Sequence, residues 1–190
     1  MKKLIIIGGY GNGTVTASTV EDINAESPEW KIIGFLNDFE STINGYDVLG
    51  PINKSSIEQF LNYDDVFFSY TLIASKYHYD HLNKLTDLEI PLEKFANIIH
   101  PTAVISKFAK IGKGINIHPF VNVGPNTIIG NHVQIFAQSL VGHNSTLSDY
   151  SYVANNSCIG AKVELKTGAY LGTNCSILEH VTIGEWALVG

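Results

Sequence analysis

Seven histidines, two cysteines and one glycine-rich loop are the places where this 190-residue chain could do chemistry. Imidazole changes charge near neutral pH, so each histidine is a candidate general base or metal ligand. His100 and His118 lie 18 residues apart and each precedes a proline. They could hold a metal ion together, or stack as rings beneath Phe136. His78 and His81 bracket Asp80 at helical spacing, which suits a solvated helix face better than a site. His132 and His180 are expected to face outward, where a neighbouring subunit could meet them, and His143 stands as a single imidazole. Cys158 and Cys175 have no flanking histidine, so neither a Cys-His nor a Ser-His-Asp nucleophile can be assembled from the sequence. They are 17 residues apart and read as free thiols, as in a reducing compartment.

The loop Gly8-Gly9-Tyr10-Gly11-Asn12-Gly13 follows an apolar run, Lys3 to Ile7. Thr14 or Thr16 stands where a G-x-G-x-x-G fingerprint needs its third glycine, and no Gly-Lys-Ser/Thr follows, so it is not a Walker loop either. Two readings stand: amides at a helix start that receive an anion such as a diphosphate, or a tight strand-to-helix turn without ligand. Asn37-Asp38 lies just past a second predicted strand, where such folds place a side chain on a nucleoside. It reads equally as a solvated turn ahead of Asn44-Gly45.

Two kinds of element must position these groups. In the first half, strands are predicted at Lys3–Ile7, Trp30–Leu36 and Val66–Tyr70. Helices are predicted over Thr14–Ile23, Ser55–Leu61 and Tyr77–Leu85, giving a small Rossmann-like α/β domain over residues 1–97. From Ile99 to Val189 every sixth residue is a branched aliphatic, without one insertion. The residue two before it is small or β-branched, and glycine often follows it. Only a solenoid of six-residue faces has this period, so residues 98–190 are a parallel β-helix whose coils are 18 residues long. The glycines are expected at turns whose backbone angles penalise a Cβ. The chain stops in mid-hexad, and an open end exposes interior and strand edges, so a capping segment is expected beyond Gly190.

Composition narrows the function. With 45% hydrophobic and 16% charged residues the chain is an ordinary folded protein, and a net charge of −6 argues against nucleic acid or anionic membrane as partner. All twelve basic residues are lysine. A phosphate must therefore be held by lysine, backbone N–H groups or helix N-termini, never by a bidentate guanidinium. No run is long enough for a signal-peptide core or a membrane span, which makes the expected location cytoplasmic.

The order of signals is specific: apolar strand, glycine-rich loop, Gly34-Phe35-Leu36-Asn37-Asp38, Val48-Leu49-Gly50, Asn97-Ile98-Ile99-His100-Pro101, then hexapeptide coils carrying Val141-Gly142-His143. Over essentially its whole length the chain resembles the sugar O- and N-acyltransferases of the sialic acid O-acetyltransferase type. That family includes enzymes acetylating nucleotide-linked amino sugars. The resemblance implies a left-handed β-helix, against the usual crossover hand. It also implies a nucleotide-sugar site at Gly9, Tyr10, Gly11, Asn12, Gly13, Asn37 and Asp38, a homotrimer, and acetyl-CoA as co-substrate in the groove between adjacent prisms. No metal is implied.

By the same resemblance His143 is the general base that deprotonates the attacking amine or hydroxyl, with Asn144 beside it. A coil-corner N–H such as that of Gly142 or Gly160 receives the carbonyl oxygen. Gly142, Tyr152, Ala161, Gly172 and Thr173 contact the cofactor. The chain departs from the family pattern at Asn144 (commonly acidic), Tyr152 (commonly histidine), Phe136 (commonly asparagine) and Asn12 (commonly histidine in Gly-His-Gly). These departures keep a second expectation in play: a non-catalytic trimer that binds nucleotide sugars. A hexapeptide-repeat nucleotidyltransferase is disfavoured, because the first domain lacks the basic nucleotidyl loop.

Overall fold

The computed structural model describes the backbone of residues 1–73 and 78–190, and the side chains of all of these except His78 and Tyr79. Residues 1–98 and 99–190 form two compact units.

The first unit contains β1 (Lys2–Ile7), α1 (Asn12–Glu26), β2 (Trp30–Leu36), β3 (Thr42–Ile43), β4 (Tyr46–Gly50), α2 (Lys54–Leu61), β5 (Val66–Tyr70) and α3 (His78–Asp87). Its sheet runs β3-β4-β2-β1-β5, parallel except for the β3–β4 hairpin. Strand β1 has a neighbour on each side, and Leu4 to Ile7 are wholly buried, which is why this strand is continuously apolar. Ala17 and Val20 of α1 pack with Leu4, Ile6, Trp30 and Phe35 in the core. The hairpin has no counterpart among the predicted elements, although its signal is present: Asn44 and Gly45 both take positive φ, as a two-residue hairpin turn requires. Helix α3 begins at His78; Tyr77, its predicted first residue, lies outside the described residues.

The second unit is a left-handed parallel β-helix. Two-residue strands recur every six positions and stack at an 18-residue register into three parallel sheets of five, five and six strands. One sheet carries Val104, Asn122, Leu140, Cys158 and Ser176 on its outer side. The second carries Lys110, Ile128, Thr146, Glu164 and Thr182, and the third Asn116, Gln134, Tyr152, Tyr170 and Leu188. The aliphatic series points inward as one continuous core, closed in the middle coils and partly buried at Ile99–Ile111 and Ile177–Val189. Small residues line the corners of that core. The hydroxyls of Ser139, Ser145 and Ser157 donate to the carbonyls of Ala154, Gly160 and Gly172, 15 residues on, at 2.9–3.1 Å. Serine at these buried corners therefore brings its own acceptor from the next coil.

The glycines after the aliphatics are required for a different reason from the one expected. Positive φ falls two residues later, at every sixth position from Gly114 to Trp186, with values between 56° and 69°. The glycines instead sit where stacked backbones nearly touch. A Cβ on Gly142 would lie 2.5 Å from the Gly160 carbonyl carbon, and one on Gly130 would lie 2.6 Å from the Asp149 nitrogen. The left-handed corners are mostly not glycine, and each pays strain of about 1–2 kcal/mol unless it is Gly or Asn. From His132 to Trp186 each such corner N–H donates to a carbonyl 19 residues earlier, as Gln138 N–H does to Pro119 and Asn144 N–H to Pro125, both at 2.9 Å, while Phe120 N–H donates to Thr102 Oγ1 at 3.0 Å.

Two histidines are built into the wall. His118 stacks on Phe136 at 4.6 Å between ring centroids, as the 18-residue spacing predicts. His132, expected to face outward, is instead 5% exposed, with its ring parallel to Tyr150 at 5.4 Å. Its corner conformation turns the ring along the stack. Cys158 is exposed and Cys175 buried, and both are free thiols.

Substitutions separate the two backbone constraints. Gly130→Ala should destabilise the protein by about 1–3 kcal/mol, the usual cost of overpacking. Gln138→Gly should stabilise it by up to about 1 kcal/mol through relief of left-handed strain. Urea unfolding measures both, and equal signs would refute the assignment. Burial holds the pKa of His118 down to about 4, helped by the charge of His100. Burial also holds His132 at about 4, against an opposing pull from Asp149. Between pH 4 and about 6.5 the unfolded chain binds more protons at these sites than the folded one. Stability is therefore complete above about pH 6.5 and falls as pH drops towards 4, on the order of 3 kcal/mol per histidine. His132→Asn, which suits the corner, should flatten the dependence of the urea midpoint on pH between 7 and 4.5; an unchanged slope would contradict it.

Candidate active site

In the β-helix, the glycine that follows an inward aliphatic spends its N–H on the next coil, and at three corners the residue after it keeps its own N–H. Gly142 N–H donates to Ile159 and Gly160 N–H to Ile177, both at 2.8 Å, and Gly172 N–H donates to Val189 at 2.7 Å. These glycine amides are spent on stacking, so neither Gly142 nor Gly160 is the oxyanion donor expected from sequence. The next residue along is free. The N–H groups of His143, Ala161 and Thr173 make no hydrogen bond among the described residues. His143 and Ala161 are 18 residues apart, hence about 4.8 Å apart along the stack.

The His143 side chain is exposed on this corner. Its Nδ1 lies 2.8 Å from Asn144 Oδ1. A carbonyl oxygen can only accept, so Nδ1 carries the hydrogen and Nε2 keeps its lone pair, the tautomer a base needs. Asn144 is itself a left-handed corner residue with φ 61°, a conformation that asparagine tolerates well. The backbone that turns the coil thereby also aims the side-chain acceptor at the imidazole.

The remaining expected contacts separate within one chain. Gly142, His143 and Asn144 form the corner between the Leu140 and Thr146 strands, and Ala161 lies at the same corner one coil on, between the Cys158 and Glu164 strands. Tyr152 lies on the third sheet, 8% exposed, in a ring stack with Phe136 at 4.8 Å and Tyr170 at 4.5 Å. Gly172 and Thr173 follow that sheet at the next corner. Among the described residues no three His, Cys, Asp or Glu side chains gather closely enough to hold a metal ion, and no helix is long and apolar enough to cross a membrane.

In the first unit, Gly9, Tyr10, Gly11, Asn12 and Gly13 line a cavity of about 290 Å³ with Thr71, Leu72, Ile73 and His81. Helix α1 starts there, with Gly11 as its N-cap and no acidic residue in its first turn. Asn12 Nδ2 donates to the Ile73 carbonyl at 3.2 Å, tying the loop to the strand end beside it. Sequence reasoning missed His81 here, because it read the His78-Asp80-His81 helix only as a solvated face. Asn37 and Asp38, expected on a nucleoside, are engaged inside the fold. Asn37 Nδ2 donates to the Gly8 carbonyl at 3.1 Å, while Oδ1 accepts the N–H groups of Phe39 and Glu40 at 2.9 Å. Asp38 Oδ1 accepts the Ile52 N–H at 2.7 Å and Oδ2 pairs with Lys84. Burial works against these bonds, which hold the Asp38 carboxyl below its usual range. Both residues therefore brace the loop against Gly8 and β4.

Residues 3–69 match the PglD N-terminal domain and residues 97–189 the GMPPB C-terminal domain. Among solved structures, WeeI from Acinetobacter baumannii AYE superposes with a TM-score of 0.76 at 20% identity, over 100% of this chain and 89% of that one. The acetyltransferase domain of PglB from Neisseria gonorrhoeae FA1090 gives 0.55 at 20% identity, over 100% and 92%. A histidine-to-alanine mutant of GDP-perosamine N-acetyl transferase from Caulobacter crescentus, solved with CoA and GDP-perosamine, gives 0.56 at 17% identity, over 94% and 93%. A search of curated proteins returned no match.

The hydrogen bond at His143 can be tested without an assay. In the native protein, ¹⁵N shifts of labelled histidine should show the Nδ1–H tautomer at His143. Asn144→Gly preserves the corner and removes the acceptor, so it should shift the population towards Nε2–H; an unchanged tautomer would discard Asn144 as its partner. Residues 3–69 match the PglD N-terminal domain, and over its whole length the chain shares the fold of WeeI and of the PglB acetyltransferase domain.

Proposed function

We propose that the protein transfers an acyl group, acetyl in the first instance, from its CoA thioester to an amine or hydroxyl of a nucleotide-linked sugar, with His143 as general base. The observation that carries this reading is the exposed imidazole whose Nδ1 is held by Asn144 while Nε2 is left as the base. His143 Nε2 takes the proton of the attacking nitrogen or oxygen as it bonds to the thioester carbonyl carbon. The same imidazolium then returns that proton to the sulfur as the carbon–sulfur bond breaks. The Ala161 N–H, free and one coil along, receives the charge that develops on the carbonyl oxygen. The free amide of Thr173 is a further donor for a CoA arm, belonging to a different corner from His143.

Support for the substrates comes from relatives. The Caulobacter structure holds CoA and GDP-perosamine, and another structure of the Neisseria domain holds acetyl coenzyme A, with a TM-score of 0.52 at 19% identity. Because His143 and Thr173 lie on different corners of one chain, a groove lined by both needs two copies side by side. This favours the homotrimer. The glycine loop and its cavity in the first unit are the proposed seat of the nucleotide, in a protein acting in the cytoplasm.

A thiol-release assay with acetyl-CoA against UDP-, GDP-, CMP- and dTDP-linked amino sugars tests the proposal. At least one acceptor should release CoA, and His143→Ala should lower kcat by about 10²- to 10⁴-fold with folding and assembly intact. Full turnover by that variant would remove His143 as the base. Calorimetric binding of a nucleotide sugar without CoA release from any acceptor would favour the non-catalytic trimer, a reading consistent with the Phe136–Tyr152–Tyr170 ring stack standing where the family's polar residues would be.

A further inference from the structure

One coil before His143, on the same corner, a cavity of about 230 Å³ is lined by Phe108, Lys110, Asn126, Thr127 and Ile128. Asn126 is the corner residue 18 positions before Asn144, and Phe108 is 18 before Asn126. The cavity floor is bonded to the histidine's own coil. Thr127 Oγ1 donates to the Gly142 carbonyl at 3.3 Å, and Asn144 N–H donates to Pro125 at 2.9 Å. Its walls are costly for a free surface: Phe108 is 61% exposed and Ile128 47%. Lys107 places its ammonium 5.1 Å over the Phe108 ring. Neither Lys107 nor Lys110 has an acidic partner among the described residues, although the chain carries a net charge of −6.

An exposed aromatic ring, an amide side chain and two unpaired ammonium groups match one chemistry: a pyranose ring bearing a phosphate. The apolar face of such a ring covers an aromatic plate, its hydroxyls bond to an amide such as that of Asn126, and its phosphate is neutralised by lysines acting as point charges. We propose that this cavity is the subsite for the sugar ring being acylated, with its anomeric phosphate between Lys107 and Lys110. The inference rests on the acyltransferase reading, and it places the acceptor about one coil rise, 4.8 Å, from the residues that carry the base.

Steady-state kinetics with the best nucleotide-sugar acceptor, on the full chain, test it. Phe108→Ala and Lys110→Gln should each raise the acceptor KM about tenfold while the acetyl-CoA KM stays within twofold. Phe108→Trp should restore the native value. Lys110→Gln should also flatten the rise of acceptor KM with salt. The same variants should weaken calorimetric binding of the sugar nucleotide in the absence of acetyl-CoA, a readout that does not depend on turnover. If the native protein transfers acyl groups but both variants keep the native acceptor KM and affinity, the subsite is wrong and the activity stands. If Phe108→Ala changes only the oligomeric state measured by sedimentation, the cavity is a contact between copies and the inference fails.

Discussion

Everything in the β-helix follows from the demand that each 18-residue coil lay its backbone directly on the next. The distance between stacked coils is that of a parallel sheet, about 4.8 Å, and it holds at the corners as well as along the faces. No side chain fits between coils where the Gly142 and Gly160 backbones meet. The corner residue two positions on must adopt a left-handed conformation to bring its N–H onto the preceding coil. Once both demands are met, the residue after the stacked glycine is the one whose N–H and side chain the backbone does not itself engage, as at His143, Ala161 and Thr173. The proposed chemistry draws on those leftovers.

This confinement explains why the proposed base and the proposed oxyanion donor occupy equivalent positions in successive coils. His143 and Ala161 each follow a stacked glycine, so each offers a free amide, and one of them also offers an imidazole. At Asn131 the same position is closed: its N–H is taken by Asp149 Oδ1 at 2.7 Å, and its own Oδ1 accepts the Lys113 N–H at 3.0 Å. A carboxylate or amide side chain there knits coils together, whereas histidine or alanine leaves the corner open. A coil corner is structural or available for binding according to one residue type.

The architecture was legible because the period of six tolerates wide latitude in residue choice: any branched aliphatic fills the core, and register needs only spacing. Trp30–Leu36 was legible for a similar reason, since a central parallel strand must be apolar on both faces, and Val66–Tyr70, though at the edge of the sheet, was legible because Val66, Phe68 and Tyr70 are buried. Hydrogen-bond bookkeeping was not legible. That Gly142 has its N–H engaged while Ala161 does not depends on which carbonyl lies above each, which no spacing reveals. Asn37 and Asp38 show the same limit. Their type and place fit a nucleoside, yet Gly8, Phe39, Glu40, Ile52 and Lys84 satisfy them first. His132 was misplaced because the sequence does not show that a corner ring lies along the stack instead of away from it.

The residue after the proposed base brings these constraints together. Position 144 must tolerate positive φ, which favours asparagine and aspartate over other side chains, and it must present an oxygen to His143 Nδ1. Both residues meet the two demands, so the choice between them is a choice of charge alone. Aspartate would attract the imidazolium formed during proton transfer and hold it. Asparagine fixes the ring's orientation and tautomer without adding that attraction. In the proposed reaction the neutral partner conserves the geometry of the base, and the charge that develops on the carbonyl oxygen falls to the backbone donor one coil away.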